Sequence, residues 1–200
     1  MKTLLQIDSS LFGDAGQSSR LTRQFVEKYL DQHPGTTIIR RDLAANPVPH
    51  LNAETFQGFM LQDSERNNLQ KEVADLSDSL IKELQQADVL VLGLPMYNFS
   101  LPSTLKSWFD HIARAGITFR YTENGPEGLL KGKKACVLAA RGGAYQGTPM
   151  DTQTDLVRQL LKFIGIEDVE FVYAEGLAMG DGQKEQGLAQ ASEHIDRLVA

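Results

Sequence analysis

Short, unbroken apolar runs alternate along this chain with longer stretches in which apolar residues recur every three or four positions. Leu4-Leu5-Gln6-Ile7, Thr36-Thr37-Ile38-Ile39, Val89 to Gly93, Ala135 to Ala140 and Val169 to Ala174 read as five strands. The third and fourth are almost continuously apolar, the pattern of parallel strands covered on both faces. Between them lie helical periods. Leu21, Phe25 and Tyr29 fall on one face; Leu69, Val73, Leu76, Leu80 and Leu84 make a long stripe; Leu105, Trp108, Phe109 and Ile112 make another. Leu156, Leu160, Phe163 and Ile164 predict a fourth helix. Gly165 stands where its C-cap belongs, and Thr148-Pro149 reads as its N-cap and first turn. Leu188, Ala191, Ile195 and Leu198 predict the last helix.

Strand and helix in strict alternation imply right-handed crossovers and an α/β fold with a doubly wound, five-stranded parallel sheet. With five strands the expected order is the flavodoxin-like 2-1-3-4-5, helices on both faces, with residues 1–200 as a single domain. A ligand crevice is then expected outside the carboxyl ends of strands 1 and 3, where the winding reverses. Two stretches exceed this plan. Residues 46–64 form a long connection containing Pro47 and Pro49, and residues 117–132 alternate and then break at Asn124-Gly125-Pro126, which suits a hairpin or an excursion.

Charge and cysteine content narrow the function. The net charge is −6 and the basic residues are dispersed, which argues against nucleic acid as a partner. The single cysteine, Cys136, excludes an internal disulfide and lies in an apolar run as a buried thiol; no Cys/His spacing resembles a zinc site. No run approaches the ~20 apolar residues that span a bilayer, and the amino terminus lacks a signal-peptide pattern. A cytoplasmic protein with no membrane partner is expected.

Three loops carry candidate chemistry. Ser9 to Ser19, after the first strand, offers hydroxyls, glycines and helix-start N–H groups suited to a phosphate. It matches neither the dinucleotide glycine fingerprint nor the P-loop. Pro95-Met96-Tyr97-Asn98-Phe99, after the third strand, brings flat and polarisable side chains. Arg141-Gly142-Gly143, after the fourth, allows close approach of backbone N–H groups to a planar ligand. In the 2-1-3-4-5 order these loops surround one crevice, and a phosphate at the first with a flat ring over the other two describes FMN. The four histidines form no rival site, and the strand-3 ending Gly93-Leu94-Pro95 disfavours a phosphoacceptor receiver.

Pro95 to Phe99, Arg141-Gly142-Gly143 and above all Ala113 to Gly128 resemble the FMN-dependent NADH-azoreductase family, also described as NADH:quinone oxidoreductases. Arg41-Asp42-Leu43 and Phe163-Ile164-Gly165-Ile166 fit as well, so the likeness covers essentially the whole chain. The resemblance implies a homodimer with active sites at its interface, one non-covalent FMN per subunit, NADH as donor, and quinones or azo compounds as acceptors in a ping-pong cycle. By position it assigns FMN contacts to Ser10, Gly16, Gln17, Ser18, Met96, Tyr97, Asn98, Phe99, Ala140, Arg141, Gly142 and Gly143. It also makes Tyr121 and Phe163 walls of the substrate slot; from spacing alone Phe163 is a core-facing helix residue. No obligatory catalytic side chain and no metal are expected. Ala140 stands where related sequences commonly have serine, and Gly16 where serine or another polar residue is frequent. The rival reading is a flavodoxin-type electron carrier without its own small-molecule acceptor, which the modest charge and the 117–132 excursion disfavour.

Overall fold

The computed structural model describes residues 2–200. Seven strands occur among them: β1 (Thr3–Asp8), β2 (Thr37–Asp42), β3 (Val89–Pro95), β4 (Phe119–Thr122), β5 (Gly125–Gly128), β6 (Lys134–Ala140) and β7 (Asp168–Ala174). Five of them form a parallel sheet ordered β2-β1-β3-β6-β7, which is the predicted 2-1-3-4-5 once the hairpin β4–β5 is set aside. The helices are α1 (Gln17–Gln32), α2 (Ala53–Gly58), α3 (Asn68–Gln86), α4 (Ser103–Ile112), α5 (Thr154–Ile164) and α6 (Asp181–Val199).

The period-2 geometry of each strand sorts its side chains onto the two faces. Leu90, Leu92 and Leu94 of β3 pack into a core with Leu80 and Leu84 of α3, Trp108 and Phe109 of α4, and Leu161 of α5. Val89 and Val91 join Leu21 and Phe25 of α1 and Ile195 of α6 on the opposite face. Each large side chain so enclosed contributes roughly 1.5–3 kcal/mol of transfer free energy. Cys136 belongs to this second core, where burial pushes its thiol up to about 12. It is a packing residue and no nucleophile.

The two surplus stretches resolve into small elements. Residues 46–64 contain α2, started by Asn52, whose side chain accepts the Thr55 N–H while the Thr55 hydroxyl accepts the Asn52 N–H. Residues 117–132 contain the β4–β5 hairpin, which lies on the end of α5. There Gly165 has φ 104° and caps the helix as predicted. The Leu130 N–H donates to Ile164 O at 2.9 Å. A Cβ on Gly128 would lie 2.0 Å from the Gly165 nitrogen, so the hairpin seats only because residue 128 has no side chain.

The predicted start of α5 at Thr148-Pro149 is incorrect. The Thr148 hydroxyl donates back to Tyr145 O and accepts the Met150 N–H, closing a separate turn. The helix begins at Thr154, whose N–H and hydroxyl both donate to the Asp151 carboxylate. A Thr-Pro pair has the same local signature before a turn as before a helix; a tertiary contact to Asp151, described below, decides between them.

Candidate functional site

The carboxyl ends of β1, β3 and β6 are adjacent in the sheet, so the three predicted loops meet at one end of the molecule. The first loop turns through Gly13–Ala15 and enters α1 at Gly16. Gly16 has no side chain to cap the helix, and its own N–H donates to Gly13 O. The N–H groups of Gln17, Ser18 and Ser19 donate to no protein acceptor among the described residues. The Ser18 and Ser19 hydroxyls are buried beside them without a partner. An unsatisfied buried polar group costs on the order of 1–3 kcal/mol. Donors converging at the positive end of a 16-residue helix with no acidic residue in its first turn make a cradle for a phosphate.

Nearby negative charge is neutralised. Asp8, at the end of β1, is buried and accepts from Gln6 Nε2, the Thr22 hydroxyl and Arg40 Nε. Arg40 also donates to Asp14, and that hydrogen bond holds the Asp14 carboxyl below its usual range while raising the Arg40 pKa. Gly16 is fixed by crowding: a Cβ there would meet Ser10 Oγ at 2.0 Å. Ser10 Oγ in turn accepts the Phe12 N–H and lies 3.3 Å from the Tyr97 hydroxyl, which also accepts the Leu11 N–H. Tyr97 thereby ties the second loop to the first.

The second loop is a tight hairpin turn. Tyr97 and Ser100 exchange both backbone hydrogen bonds at 3.0 Å, and Asn98 and Phe99 between them have φ of 48° and 61°. Left-handed backbone at two consecutive non-glycine residues stores of order 1–3 kcal/mol each and collects at ligand sites. Both residues are exposed, and their N–H groups are without protein acceptors among the described residues. The third loop leaves β6 with the carbonyls of Arg141, Gly142 and Gly143 bonded by the N–H groups of Leu177, Ala178 and Gly176. The Gly142 and Gly143 N–H groups have no protein acceptor among the described residues. The Tyr145 ring covers Gly143 and meets the Phe99 ring edge-on at 5.8 Å, closing the wall between the second and third loops.

The Arg141 side chain is entirely buried. Nη1 donates to Glu175 Oε1 at 3.1 Å, and Nη2 donates to Asp151 Oδ1 at 2.7 Å and to the Thr154 hydroxyl at 3.1 Å. Its plane lies over the Tyr173 ring. Burial alone would raise the Asp151 carboxyl, but the hydrogen bonds from Arg141 and Thr154 outweigh it and hold it below the ordinary value. Asp151, Gln153, Tyr145 and Glu175 were not among the residues the sequence pointed to. Gln153 is fully buried and donates from Nε2 to both Pro95 O and Ser100 O at 3.0 Å, holding the second loop from beneath.

Tyr121 and Phe163 lie elsewhere. Tyr121, on β4, is 76% exposed. Phe163 packs on Phe119 with ring centroids 4.2 Å apart, and it lines a cavity of about 770 Å³ between the hairpin and α5. None of the residues of the three loops lines that cavity. Within one chain the structure therefore brings together the loop residues and leaves these two apart from them.

Comparison with known proteins agrees with this geometry. Residues 1–199 match the profile of a family described as having a flavodoxin-like fold. The chain is 51% identical over its whole length to the FMN-dependent NADH:quinone oxidoreductase of Cellvibrio japonicus, all of which it covers. It is 52% identical over 192 residues to the protein of that name from Alcanivorax borkumensis, with 96% of this chain and 97% of the relative covered. Among solved structures, an FMN-dependent NADH-azoreductase from Bacillus anthracis in complex with FMN superimposes with a TM-score of 0.88 at 27% identity, each chain fully covered. A flavodoxin-like sheet order with the three loops at one end, and full-length identity near one half, lead to one conclusion: the chain belongs to the flavodoxin-like family of FMN-dependent NADH:quinone oxidoreductases and azoreductases.

Proposed function

We propose that this chain is an enzyme that binds FMN without a covalent bond, oxidises NADH, and passes the electrons to quinones or to azo compounds. The observation that carries the reading is the cradle at the start of α1. Three N–H groups and two buried, unpartnered hydroxyls there have nothing else to bind, and it lies at the same sheet end as two loops suited to a flat ring. FMN, when bound, would supply the two-electron redox chemistry between donor and acceptor.

The chain supplies position and electrostatics. Gln17, Ser18 and Ser19 N–H groups and the Ser18 and Ser19 hydroxyls hold the phosphate. Met96 to Phe99 would hold the flat ring system. The N–H groups of Gly142 and Gly143 would stabilise negative charge on the reduced group, in the manner of an oxyanion hole. No buried acid or base is required, because protons come from solvent. Donor and acceptor would use one site in turn, so a ping-pong cycle is expected. A quinone takes two electrons per turnover; cleavage of an azo bond takes four and consumes two NADH.

Residues 1–200 form a single FMN-binding domain in this reading, and the working unit is a cytoplasmic homodimer. In it Tyr121 and Phe163 of one subunit complete the substrate slot of the other. This accounts for their separation from the loops within one chain.

The test is direct. The purified protein, mixed with FMN, turns yellow and oxidises NADH with a soluble quinone or an azo dye, giving parallel double-reciprocal lines. A yellow protein that fails to oxidise NADH with either acceptor is an electron carrier instead, and a protein that takes up no FMN overturns the reading altogether.

A further inference from the structure

The buried Arg141 guanidinium ties the second and third loops, which already touch through the Phe99 and Tyr145 rings, to one point beneath them. Through Glu175 it reaches the third loop: Glu175 Oε1 accepts Nη1 and also the N–H groups of Tyr145 and Gln146, both at 2.9 Å. Tyr145 is the residue whose ring rests on Gly143. Through Asp151 it reaches the second loop. Asp151 accepts the N–H and hydroxyl of Thr154, the first residue of α5, and the two residues between them grip the Met96–Phe99 turn: the Thr152 hydroxyl donates to Phe99 O, and Gln153 Nε2 to Pro95 O and Ser100 O. The guanidinium is planar and forked, so its two ends serve two carboxylates in a fixed relation. Buried charge pairs of this kind do little for net stability, since desolvation offsets attraction, but removing one partner is strongly unfavourable.

We propose that Arg141 is a positioning residue. With Asp151 and Glu175 it forms a buried cross-link that sets the spacing between the 96–100 turn and the Gly142–Gly143 N–H donors, and so sets how strongly the reduced ligand is held. This rests on the FMN reading above for its consequence in the holoenzyme, but the cross-link itself is a property of the chain alone. The two arms are separable. Glu175→Ala removes the acceptor of the 145 and 146 amides and leaves Asp151 in place. Asp151→Ala frees the α5 start and the turn above it and leaves Glu175 in place. Arg141→Lys keeps the charge but reaches one carboxylate at a time.

The experiment is amide hydrogen exchange on the full chain without cofactor, followed by the FMN dissociation constant and two-electron midpoint potential of each variant. In Glu175→Ala, exchange at residues 145 and 146 rises at least tenfold while residue 100 is unchanged; in Asp151→Ala the pattern reverses. Arg141→Lys raises both by less. Each variant lowers the affinity for reduced FMN about tenfold more than for oxidised FMN, a fall of about 30 mV. Variants that melt lower yet keep wild-type exchange at both loops and a wild-type potential overturn the proposal, leaving Arg141 as packing. Exchange that rises uniformly across the chain overturns it too. A wild-type protein that binds no FMN removes the functional reading, and the exchange pattern still decides the cross-link.

Discussion

Ser18 is buried at the start of a helix with its hydroxyl bonded to nothing. That arrangement disfavours the empty protein and favours a bound anion, so one substitution has opposite effects on the two states. Ser18→Ala leaves the apoprotein as stable as before, or more stable by about 1 kcal/mol. FMN then binds about tenfold more weakly, a loss of ~1.4 kcal/mol. Thermal melts of the apoprotein and a flavin fluorescence titration measure the two signs. Asn98 calls for a different replacement. Its φ of 48° makes Asn98→Leu ambiguous, because a branched residue adds backbone strain of roughly 1–2 kcal/mol there. Asn98→Gly keeps the turn and deletes only the amide. Stability should stay within about 0.5 kcal/mol, while the two-electron midpoint of bound FMN drops by about 30 mV as the reduced form loses a tenfold share of affinity. An unchanged potential would remove the Asn98 side chain from the site. The loop of residues 9–19 stands out in the sequence as a phosphate candidate because a donor-rich loop before a helix is a local pattern. Ser10, Gly16 and Ser18 are singled out within it by the family resemblance. Glu175 and Gln153 were not legible, because their partners lie 34 and 58 residues away and no spacing announces such a pair.

The elements themselves were read from periodicity, and the strands and long helices follow it closely. The misplaced start of α5 shows where periodicity stops. Thr148 closes its own turn, while Asp151, held by Arg141 from another element, anchors Thr154 at the helix start. Contacts between elements also fix the surroundings of His111 on α4. Its Nδ1 faces Ser107 O at 2.9 Å, so the proton sits on Nδ1 and Nε2 is buried without a partner. Phe59 meets the ring edge-on, and Arg114, held by Ser77 and Asp78, covers the other side of that Phe59 contact. Burial lowers the His111 pKa, against the Ser107 carbonyl and Asp110, which raise it, and with Arg114, which lowers it further. The unfolded chain therefore takes up a proton that the native state refuses. Stability is complete above the unfolded value of about 6.5 and declines as pH falls below it towards the native value. Denaturant midpoints of wild type between pH 7 and pH 5 should fall more steeply than those of His111→Gln. Parallel slopes would show that His111 plays no part in the acid response.

At the scale of the whole molecule, the distribution of apolar surface bears on assembly. Leu11, Phe12, Phe56, Met60, Phe99 and Tyr121 are all large, apolar or aromatic, and exposed. Leu11, Phe12 and Phe99 lie on the site's own loops. Scattered apolar residues need no explanation, but three on the site's own loops suit the homodimer proposed above. If a second copy covers the crevice, the slot is built from loops of one subunit and Tyr121 of the other, and mixed dimers separate this from any arrangement within one chain. Tyr121→Ala keeps the FMN loops and loses the wall. Gly16→Val, which drives a side chain into Ser10, keeps the wall and loses FMN. Each homodimer alone should be defective, the first by about a tenfold rise in quinone KM with FMN affinity unchanged, the second by loss of flavin. Mixed and allowed to exchange subunits, they form heterodimers with one site made of an intact loop set and an intact Tyr121. By the two-fold symmetry of such a dimer, roughly a quarter of all sites regain the wild-type KM. Steady-state kinetics of the mixture resolve that fraction as a low-KM component. Kinetics equal to the plain sum of the two parents would put Tyr121 in the same chain as the flavin it serves, or outside the slot entirely.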